Sequence, residues 1–274
     1  MSRARVAVVQ FPGVNCESET MRALDRVGLS AEVFRWTRPA GELDTYDAFV
    51  LPGGFSYQDR VRAGALAAKD PLVDRLASAA ARGAPVLGIC NGAQVLIEAG
   101  LVPGGGTVQL ALARNRMPER TGYFARWCML RVEASRCVFT RRLEPGTLLP
   151  MPMAHGEGRF TSREPGLLET LHRGGQTPLR YATSGGAPAA RFPDNPSGSE
   201  HAVAAACNAA GNVLAIMPHP ERAQDLGQVG RAVSGSWADR RDAALESGAK
   251  DAARAPGPGL LLFQGLERHL KERG

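Results

Sequence analysis

The stretch VLGICNGAQVLIEAG, residues 86–100, decides how this chain folds. A short apolar run ends at Cys90, and the following segment has the pattern of a helix, so a strand is expected to turn directly into a helix at this cysteine. Glycines at 88 and 92 bracket the turn, where they let the backbone bend and neighbouring chains approach. This pattern is typical of the thiol form of a nucleophile elbow.

Similar strand and helix patterns alternate through the first half of the chain. Strands are predicted in RVAVVQF (5–11), AEVFRWT (31–37), YDAFVLPGG (46–54) and APVLGIC (84–90), with amphipathic helices at 16–28 and 70–83. Helices of this length between strands imply right-handed crossovers. The sequence therefore predicts an α/β fold with an open, mostly parallel sheet and helices on both faces.

The second half has a different pattern. Strands are predicted at 123–134, at CVFT (137–140) and within 146–160, and the two apolar runs of 202–222 are split by NAAGN, which favours a hairpin. Residues 161–200 are rich in Pro, Gly and Ser, and the chain closes with an amphipathic helix. A single domain over 1–274 is predicted, with residues 223–258, rich in Gly, Ala and Arg, as a flexible insertion.

Composition narrows the classes of function. The 33 basic and 27 acidic residues give a net charge of +6, but the basic residues are scattered, which disfavours nucleic-acid binding. No apolar run approaches the roughly 18 residues that span a bilayer, and the N-terminus lacks the apolar core of a signal peptide. The five cysteines form no CxxC pair, so neither a disulfide framework nor a zinc site is expected, and a cytoplasmic location is predicted.

The motif MPHPER, residues 217–222, offers a partner for Cys90. His219 and Glu221 are two residues apart at the end of an apolar run, and a period of two places both side chains on one side of an extended segment. Prolines on both sides of His219 restrict its backbone. A histidine oriented by a carboxylate is the base that a cysteine nucleophile needs; the alternative is a surface pair at a strand exit.

The segment LPGGFSYQD, residues 51–59, supplies a glycine turn at the end of another predicted strand. It is expected at the same carboxyl edge of the sheet as the elbow, where α/β folds bind ligands. Backbone N–H groups of Gly53 or Gly54, together with that of Asn91, are candidates for an oxyanion hole. A plain tight turn is the alternative.

Other cysteines and histidines are weighed against these residues. Cys16 also lies between a strand and a helix but lacks flanking glycines, and it is expected to be structural. In AHGEGRF, His155 and Glu157 could form a ligand loop, an alternative base or a surface turn, and a loop near the site or a partner is favoured. No close ligand spacing of the HExxH type is present, so metal catalysis is not expected. The remaining candidates are taken as core or surface residues: Cys128, Cys137, Cys207, His172, His201 and His269.

Several motifs together resemble one family. GICNGAQVL followed by MPHPER is similar to the class I, or triad, glutamine amidotransferases, whose sheet is of the flavodoxin-like type. VAVVQFPGVNCE, LPGGFSYQDRVRAGALAA, AHGEGRF, NPSGS and GNVLAIMPHPERA resemble, in this order along the chain, the glutaminase subunits of phosphoribosylformylglycinamidine synthase. The similarity runs from about residue 5 to 223 and resumes in the final helix.

The resemblance implies roles for specific residues. Cys90 would be the nucleophile, His219 the general base and Glu221 its orienting carboxylate, while Gly53, Gly54, Asn91 and Gln94 would hold the oxyanion and substrate. There are two departures from the family pattern. Gln58 stands where the family usually has glycine, and the segment between Glu221 and the last helix is longer than usual.

The resemblance also implies a substrate and partners. L-Glutamine would be hydrolysed, and ammonia would pass to an ATP-dependent synthetase subunit, with a small accessory subunit in the complex. No cofactor is expected in this chain, and ATP and Mg would bind the synthetase. The alternatives are a cysteine hydrolase or peptidase of a related fold, the glutaminase of another amidotransferase, and a non-catalytic regulatory subunit.

Overall fold

The computed structural model describes residues 3–249 and 251–273. Within them the strands are β1 (Arg5–Gln10), β2 (Ser30–Arg35), β3 (Ala48–Leu51), β4 (Val86–Ile89), β5 (Ala111–Arg114), β6 (Phe124–Val132), β7 (Leu148–His155), β8 (Glu157–Thr161), β9 (Leu179–Ala182), β10 (Val203–Cys207) and β11 (Val213–Ile216). The α-helices are α1 (Glu17–Arg26), α2 (Pro71–Ala81), α3 (Asn91–Glu98), α4 (Leu167–Arg173), α5 (Ser236–Glu246) and α6 (Leu260–Arg273). None of these helices is both long enough and apolar enough to cross a bilayer.

Nine strands form the main sheet, in the order β2-β1-β3-β4-β11-β10-β9-β6-β7. The five strands from β2 to β11 pair in parallel, and the remaining four continue the sheet in antiparallel pairs. β5 and β8 form a separate antiparallel ribbon in the described part of the chain. The predicted fold class, a mostly parallel α/β sheet with an antiparallel extension, is confirmed.

Helices cover both faces of the parallel half. In the sheet, the step from β1 to β2 runs towards one edge, and the step from β3 to β4 runs towards the opposite edge. Right-handed crossovers in opposite directions place their helices, α1 and α2, on opposite faces of the sheet. α6 contacts α1, and a short 3-10 turn contacts both α2 and α3. β3, β4 and β11 are buried at every residue, which explains why they read as continuous apolar runs.

The parallel register aligns the ends of three central strands. Leu51 of β3 lies opposite Gly88 of β4, and Ile89 of β4 lies opposite Ile216 of β11. The residues that follow these strands therefore emerge side by side at the carboxyl edge of the sheet. This is the edge at which open α/β sheets bind ligands.

Glycines at the elbow allow the close approach that the sequence predicts. A Cβ on Gly92 would lie 1.9 Å from the carbonyl oxygen of Leu51, and one on Gly88 would lie 2.6 Å from that of Gly92. Both distances are far inside van der Waals contact. Helix α3 can therefore start directly against β3 and β4 only because these positions lack side chains.

Replacing the second of these glycines is expected to strain the fold. Gly92→Ala forces the N-terminus of α3 away from β3 and should lower the free energy of unfolding by about 1–3 kcal/mol. Denaturant unfolding measures the change. Gly41→Ala is the matched control, because a Cβ there meets nothing within 4 Å, and equal losses in both variants would contradict the packing assigned to Gly92.

One predicted strand in the second half differs from the structure. The strand predicted at CVFT is wrong: residues 138–140 form a turn, in which Val138 N donates to Gly211 O and Thr140 N to Cys137 O. Residues 161–200, for which the sequence analysis gave only a composition rich in Pro, Gly and Ser, contain α4 and β9. Burial of Cys137 and Phe139 explains the misleading apolar run, because a buried turn has the same composition as a short strand.

The segment 223–258, between Glu221 and the last helix, contains secondary structure that contacts the rest of the chain. α5 lies within it; Trp237 Nε1 donates to Leu148 O at 2.9 Å, and Arg241 Nη1 donates to Gly230 O at 2.6 Å. Near its start, Arg26 forms an ion pair with Asp225. The flexibility predicted for this segment stays a prediction, which amide hydrogen exchange along α5 would test.

Candidate active site

Cys90 lies in the sharp turn between β4 and α3. Its backbone has φ +49° and ψ −103°, a strained conformation for a residue with a side chain, and its N–H is held by Ile216 O at 2.8 Å. Such strain at a strand-to-helix turn is the mark of a nucleophile elbow. The residue is the N-cap of α3, so its thiol lies at the start of that helix.

His219 and Glu221 form a buried pair beside this turn. His219 Nδ1 lies 2.6 Å from Glu221 Oε1, the histidine is 5% exposed and the glutamate is fully buried. Burial alone would lower the pKa of His219, but the charge of Glu221 and the neighbouring Cys90 and Cys16 thiols raise it well above its usual value. Since Glu221 occupies Nδ1, Nε2 is the nitrogen left to exchange a proton with a thiol.

The glycine turn after β3 reaches the same place. A Cβ on Gly53 would lie 2.8 Å from His219 Cε1, and Gly54 lines the cavity next to Cys90. The N–H groups of Gly53 and Gly54 have no hydrogen-bond acceptor among residues 3–249 and 251–273. Asn91 N, the first amide of α3, has no partner within its helix. These three amides are the candidates for an oxyanion hole.

A cavity of about 250 Å³ opens in front of Cys90. Its volume suits a ligand of the size of one amino acid. It is lined by Gly54, Phe55, Asp59, Ala63, Cys90, Gln94, Arg114, Gly122, Tyr123, Ala154, His155, Gly156 and Glu157. Arg114 and Tyr123 come from β5 and the segment before β6; the sequence analysis missed them, because no motif marks them.

Asn91 and Gln94, predicted as substrate-binding residues, connect the cavity walls. Asn91 Oδ1 accepts from Ser56 N at 3.1 Å, and Asn91 Nδ2 donates to Gln94 Oε1 at 3.0 Å and to Asp59 Oδ1 at 3.3 Å. Gln94 Nε2 donates to the Glu157 carbonyl oxygen at 2.6 Å. Both side chains are therefore engaged in holding the loops of the cavity against α3.

Cys16 is the second thiol near His219. Arg222 Nη2 donates to its sulfur at 3.3 Å, and its backbone N–H donates to Gly53 O at 3.2 Å. Cys16 does not line the cavity, whereas Cys90 does. Its contacts fit the structural role predicted from sequence, as part of the support behind the glycine turn and the histidine.

The same residues raise the question of a metal ion. One ligand atom from each of Cys16, His219 and Glu221 lies within 4.8 Å of the others. The guanidinium of Arg222 donates to the Cys16 sulfur and lies 3.9 Å from Glu221 Oε1. Its positive charge opposes a cation in this position, so the donor set is a poor fit for a resident metal.

His155 is a buried histidine in the cavity wall. Burial, followed by the positive charge of His219, lowers its pKa to about 3, so the ring stays neutral near neutral pH. Neither of its ring nitrogens has a hydrogen-bond partner among the described residues. The predicted loop is therefore only a one-residue connection: His155 ends β7 in the cavity wall and Glu157 begins β8. The base is better supplied by His219, which a carboxylate orients.

Gln58, one of the departures from the family pattern, has a left-handed backbone. Its φ is +59° and ψ +28°, and Tyr57 and Asp59 on either side also have positive φ. Its exposed side chain accepts from Arg60 Nη2 at 3.1 Å. A glycine adopts this conformation without steric cost, which explains why glycine suits the position.

Restoring glycine is expected to stabilise the chain slightly. Gln58→Gly should raise the free energy of unfolding by about 0.5–1 kcal/mol, because relief of the left-handed strain exceeds the entropy cost of glycine. Arg60→Gly is the control: its φ of −59° is ordinary, so the same change should destabilise. Loss of stability in Gln58→Gly on denaturant unfolding would contradict the strained conformation.

Comparisons with known proteins agree with this geometry. A family model described as a CobB/CobQ-like glutamine amidotransferase domain matches residues 3–251. A protein from Methanothrix thermoacetophila, named phosphoribosylformylglycinamidine synthase subunit PurQ, is 42% identical over 98% of this chain and 99% of its own length. A protein of the same name from Thermomicrobium roseum is 44% identical over 81% of this chain and 88% of its own. The chain belongs to the PurQ family of glutamine amidotransferases.

A solved structure supports the same family. A chain in the structure of PurLQS from Thermotoga maritima has 30% sequence identity and a TM-score of 0.71, and the alignment covers 98% of this chain and all of that one. Membership of the PurQ family identifies the molecule as an enzyme, a glutamine amidotransferase. The Methanothrix relative matches almost end to end, so the extra length before the last helix does not set this chain apart from all PurQ proteins.

Proposed function

We propose that this chain is the glutaminase subunit of phosphoribosylformylglycinamidine synthase and hydrolyses L-glutamine with Cys90, His219 and Glu221. The observation that carries the proposal is the strained Cys90 on the wall of a cavity, with the carboxylate-bound His219 close enough to its thiol for Cys90 to raise the histidine's pKa. A peptidase of related fold would more often have histidine directly after the nucleophile, where Asn91 stands. The size of the cavity and the family of the chain both support L-glutamine as the ligand.

The first half-reaction forms a thioester. His219 Nε2 takes the proton of Cys90, and the thiolate attacks the side-chain amide carbon of glutamine. The amide oxygen becomes an oxyanion, which accepts hydrogen bonds from Asn91 N and the N–H groups of the Gly53–Gly54 turn. The C–N bond then breaks as His219 gives its proton to the leaving nitrogen, releasing ammonia and leaving a γ-glutamyl thioester.

The second half-reaction restores the enzyme. His219 accepts a proton from water, whose oxygen attacks the thioester carbon through the same oxyanion site. Collapse of this intermediate breaks the C–S bond, and glutamate leaves with the Cys90 thiolate regenerated. Throughout, Glu221 holds Nδ1 and stabilises the imidazolium that forms at each transfer.

Ammonia is the intermediate that links this chain to its partners. The proposal includes transfer to a synthetase subunit that binds ATP and Mg and converts formylglycinamide ribonucleotide to the amidine, with a small accessory subunit in the complex and no cofactor in this chain. Phe55 and Tyr123, both about half exposed, line the cavity and offer aromatic contacts for such a partner. Five free, buried cysteines suit the cytoplasmic location that we propose.

Reconstitution with the synthetase subunit tests the function. The complex should form the amidine from formylglycinamide ribonucleotide with either glutamine or ammonia as the nitrogen source in the presence of ATP and Mg. Omitting this chain should abolish the reaction with glutamine and leave the reaction with ammonia. Glutamine-dependent amidine formation without this chain would contradict the proposal.

A further inference from the structure

The two-stranded ribbon of β5 and β8 contains an irregularity next to the cavity. Ala113 lies opposite Arg159 and Arg114 lies opposite Glu157, so Gly158 is one extra residue on β8. An extra residue of this kind, a β-bulge, is left out of the ladder of backbone hydrogen bonds and bends the strand. Bulges are common beside active sites, because the bend changes the direction in which neighbouring side chains point.

The strand that carries the bulge begins at a wall of the cavity. Residues 154–157, the corner between β7 and β8, all line it. Ala154 O lies 3.8 Å from Cys90 Sγ, and Glu157 O accepts from Gln94 Nε2 at 2.6 Å. The position of the bulge therefore decides where this corner lies relative to the nucleophile.

Asn115, the residue after β5, supplies a partner for the N–H group of the bulge. Its Oδ1 accepts from Gly158 N at 3.1 Å, and its Nδ2 donates to His155 O at 2.7 Å. Its backbone N–H donates to Gly156 O at 2.8 Å. The side chain is fully buried, so this single amide holds both sides of the corner in a place where an unpaired backbone group would be destabilising.

Ser199, the last residue of NPSGS (195–199), supplies a partner for the carbonyl oxygen of the bulge. Its Oγ donates to Gly158 O at 3.4 Å and accepts from Phe160 N at 3.0 Å. Asn195 holds the serine in turn: Asn195 Nδ2 donates to Ser199 O at 2.8 Å, and Asn195 Oδ1 accepts from Ser199 N at 3.1 Å. None of the reacting groups comes from this motif, and its buried hydroxyl is directed at β8.

Both side chains act from behind the cavity wall. Asn115 and Ser199 do not line the cavity, and both are buried. Without them the N–H and C=O groups of Gly158 would lose these partners, and regular pairing of β8 with β5 would satisfy them instead. A slip of one residue turns each side chain of a strand to its other face, so Glu157 would leave the cavity wall.

We infer that Asn115 and Ser199 are positioning residues for glutamine hydrolysis, which hold the bulge at Gly158 and so fix the corner 154–157 in front of Cys90. The inference rests on the function proposed above, since the wall that they position belongs to its substrate cavity. The nucleophile has a separate support, because its backbone N–H donates to Ile216 O of β11. Loss of either positioning residue should therefore weaken substrate binding more than it slows the chemical steps.

Steady-state kinetics of glutamate release by the complex with the synthetase test this inference. Asn115→Ala or Ser199→Ala should raise KM for glutamine by about 10–100-fold, the effect of displacing a binding wall by about 1 Å. The kcat per active site should change by less than about 3-fold. Active sites are counted by alkylating Cys90 to completion with a diazoketone analogue of glutamine, so that unfolded molecules do not enter kcat.

The matched control is a second buried asparagine that bonds the backbone at the opposite edge of the sheet. Asn212, which precedes β11, donates from Nδ2 to Ala80 O at 2.8 Å and to Ala84 O at 2.9 Å. Asn212→Ala should destabilise the chain in denaturant unfolding, as Asn115→Ala should, but it should leave KM for glutamine unchanged. The comparison separates a general loss of stability from a displaced cavity wall.

The outcomes distinguish this inference from the glutaminase function. An unchanged KM in a folded Asn115→Ala or Ser199→Ala contradicts the positioning role of that residue, and an equal rise in Asn212→Ala contradicts both roles, while the glutaminase function stands. If Asn115→Ala does not fold, the smaller change in Ser199→Ala decides the inference. If the wild-type complex releases glutamate from glutamine no faster than Cys90→Ala, the proposed function fails and the positioning roles fail with it.

Discussion

Cys90→Ala is expected to abolish glutamine-dependent amidine formation by the reconstituted complex. Removing the nucleophile of a triad leaves only substrate binding and the oxyanion site, so the rate with glutamine should fall by at least ~10⁴-fold. The rate with ammonia should be unchanged, because ammonia bypasses the thioester. Steady-state rates with each nitrogen source measure both effects in the same preparation.

The matched control is the second thiol beside His219. Cys16→Ala removes the sulfur that Arg222 contacts but leaves the cavity and Cys90 in place, so glutamine turnover should stay within about 10-fold of wild type. If Cys16→Ala is inactive and Cys90→Ala retains glutamine turnover, the roles of the two thiols are reversed and the elbow is structural.

Glu221→Gln is expected to lower kcat with glutamine by about 10³–10⁴-fold, because the amide can donate to Nδ1 and so place the imidazole proton on Nε2. A ring protonated on Nε2 cannot accept the proton of Cys90. Glu221 is fully buried, and glutamine has nearly the same shape as glutamate. The loss of kcat therefore reflects the changed tautomer and charge of His219 more than a change in packing. The measurement is single-turnover glutamate release, with KM for glutamine determined in parallel.

Glu19 provides a carboxylate for comparison in the same network. It pairs with Arg222 at 3.4 Å, while Arg222 lies 3.9 Å from Glu221, but Glu19 does not hydrogen-bond His219. Glu19→Gln should change kcat by less than about 3-fold, as expected for a partly exposed ion pair. A loss in Glu221→Gln no larger than in Glu19→Gln would contradict the orienting role of Glu221.

The parallel half of the fold follows from local sequence patterns. β1, β3, β4 and β11 are buried on both faces, and burial on both faces produces the apolar runs from which they were predicted. Gly28 and Gly83, expected to end the first two helices, have φ of +80° and +88°, the left-handed values typical of that position.

The antiparallel half is less predictable because its short elements depend on distant partners. β9 has four residues and pairs with β6, which lies three strands earlier in the chain, and with β10, the next strand, which begins only at Val203. The contacts that stabilise this short strand are therefore distant in sequence, and the residues around it, which are rich in proline and glycine, show little local pattern that predicts a strand. At CVFT the error is the opposite one, because a strand is predicted where the structure has a turn. The apolar residues of this run are buried, but they do not pair as a strand.

The site shows the same division between local and long-range information. Cys90, His219 and Glu221 could be predicted from sequence because elbow geometry and a carboxylate-bound histidine each require a compact motif. Arg114 reaches the cavity from a two-stranded ribbon that only the folded chain places there. Asp59 lies within a quoted motif, but its left-handed backbone and its place in the cavity wall are visible only in the folded chain.

Labelling with a diazoketone analogue of glutamine tests most directly that Cys90 is the nucleophile. The protein would be treated in complex with the synthetase, and the modified residue located by peptide mass, with Cys90→Ser as control. A Cys90 nucleophile predicts label on Cys90 alone, prevented by glutamine and absent from Cys90→Ser. Glutamine-protected label on Cys16, or no label in a complex that turns over glutamine, would contradict it.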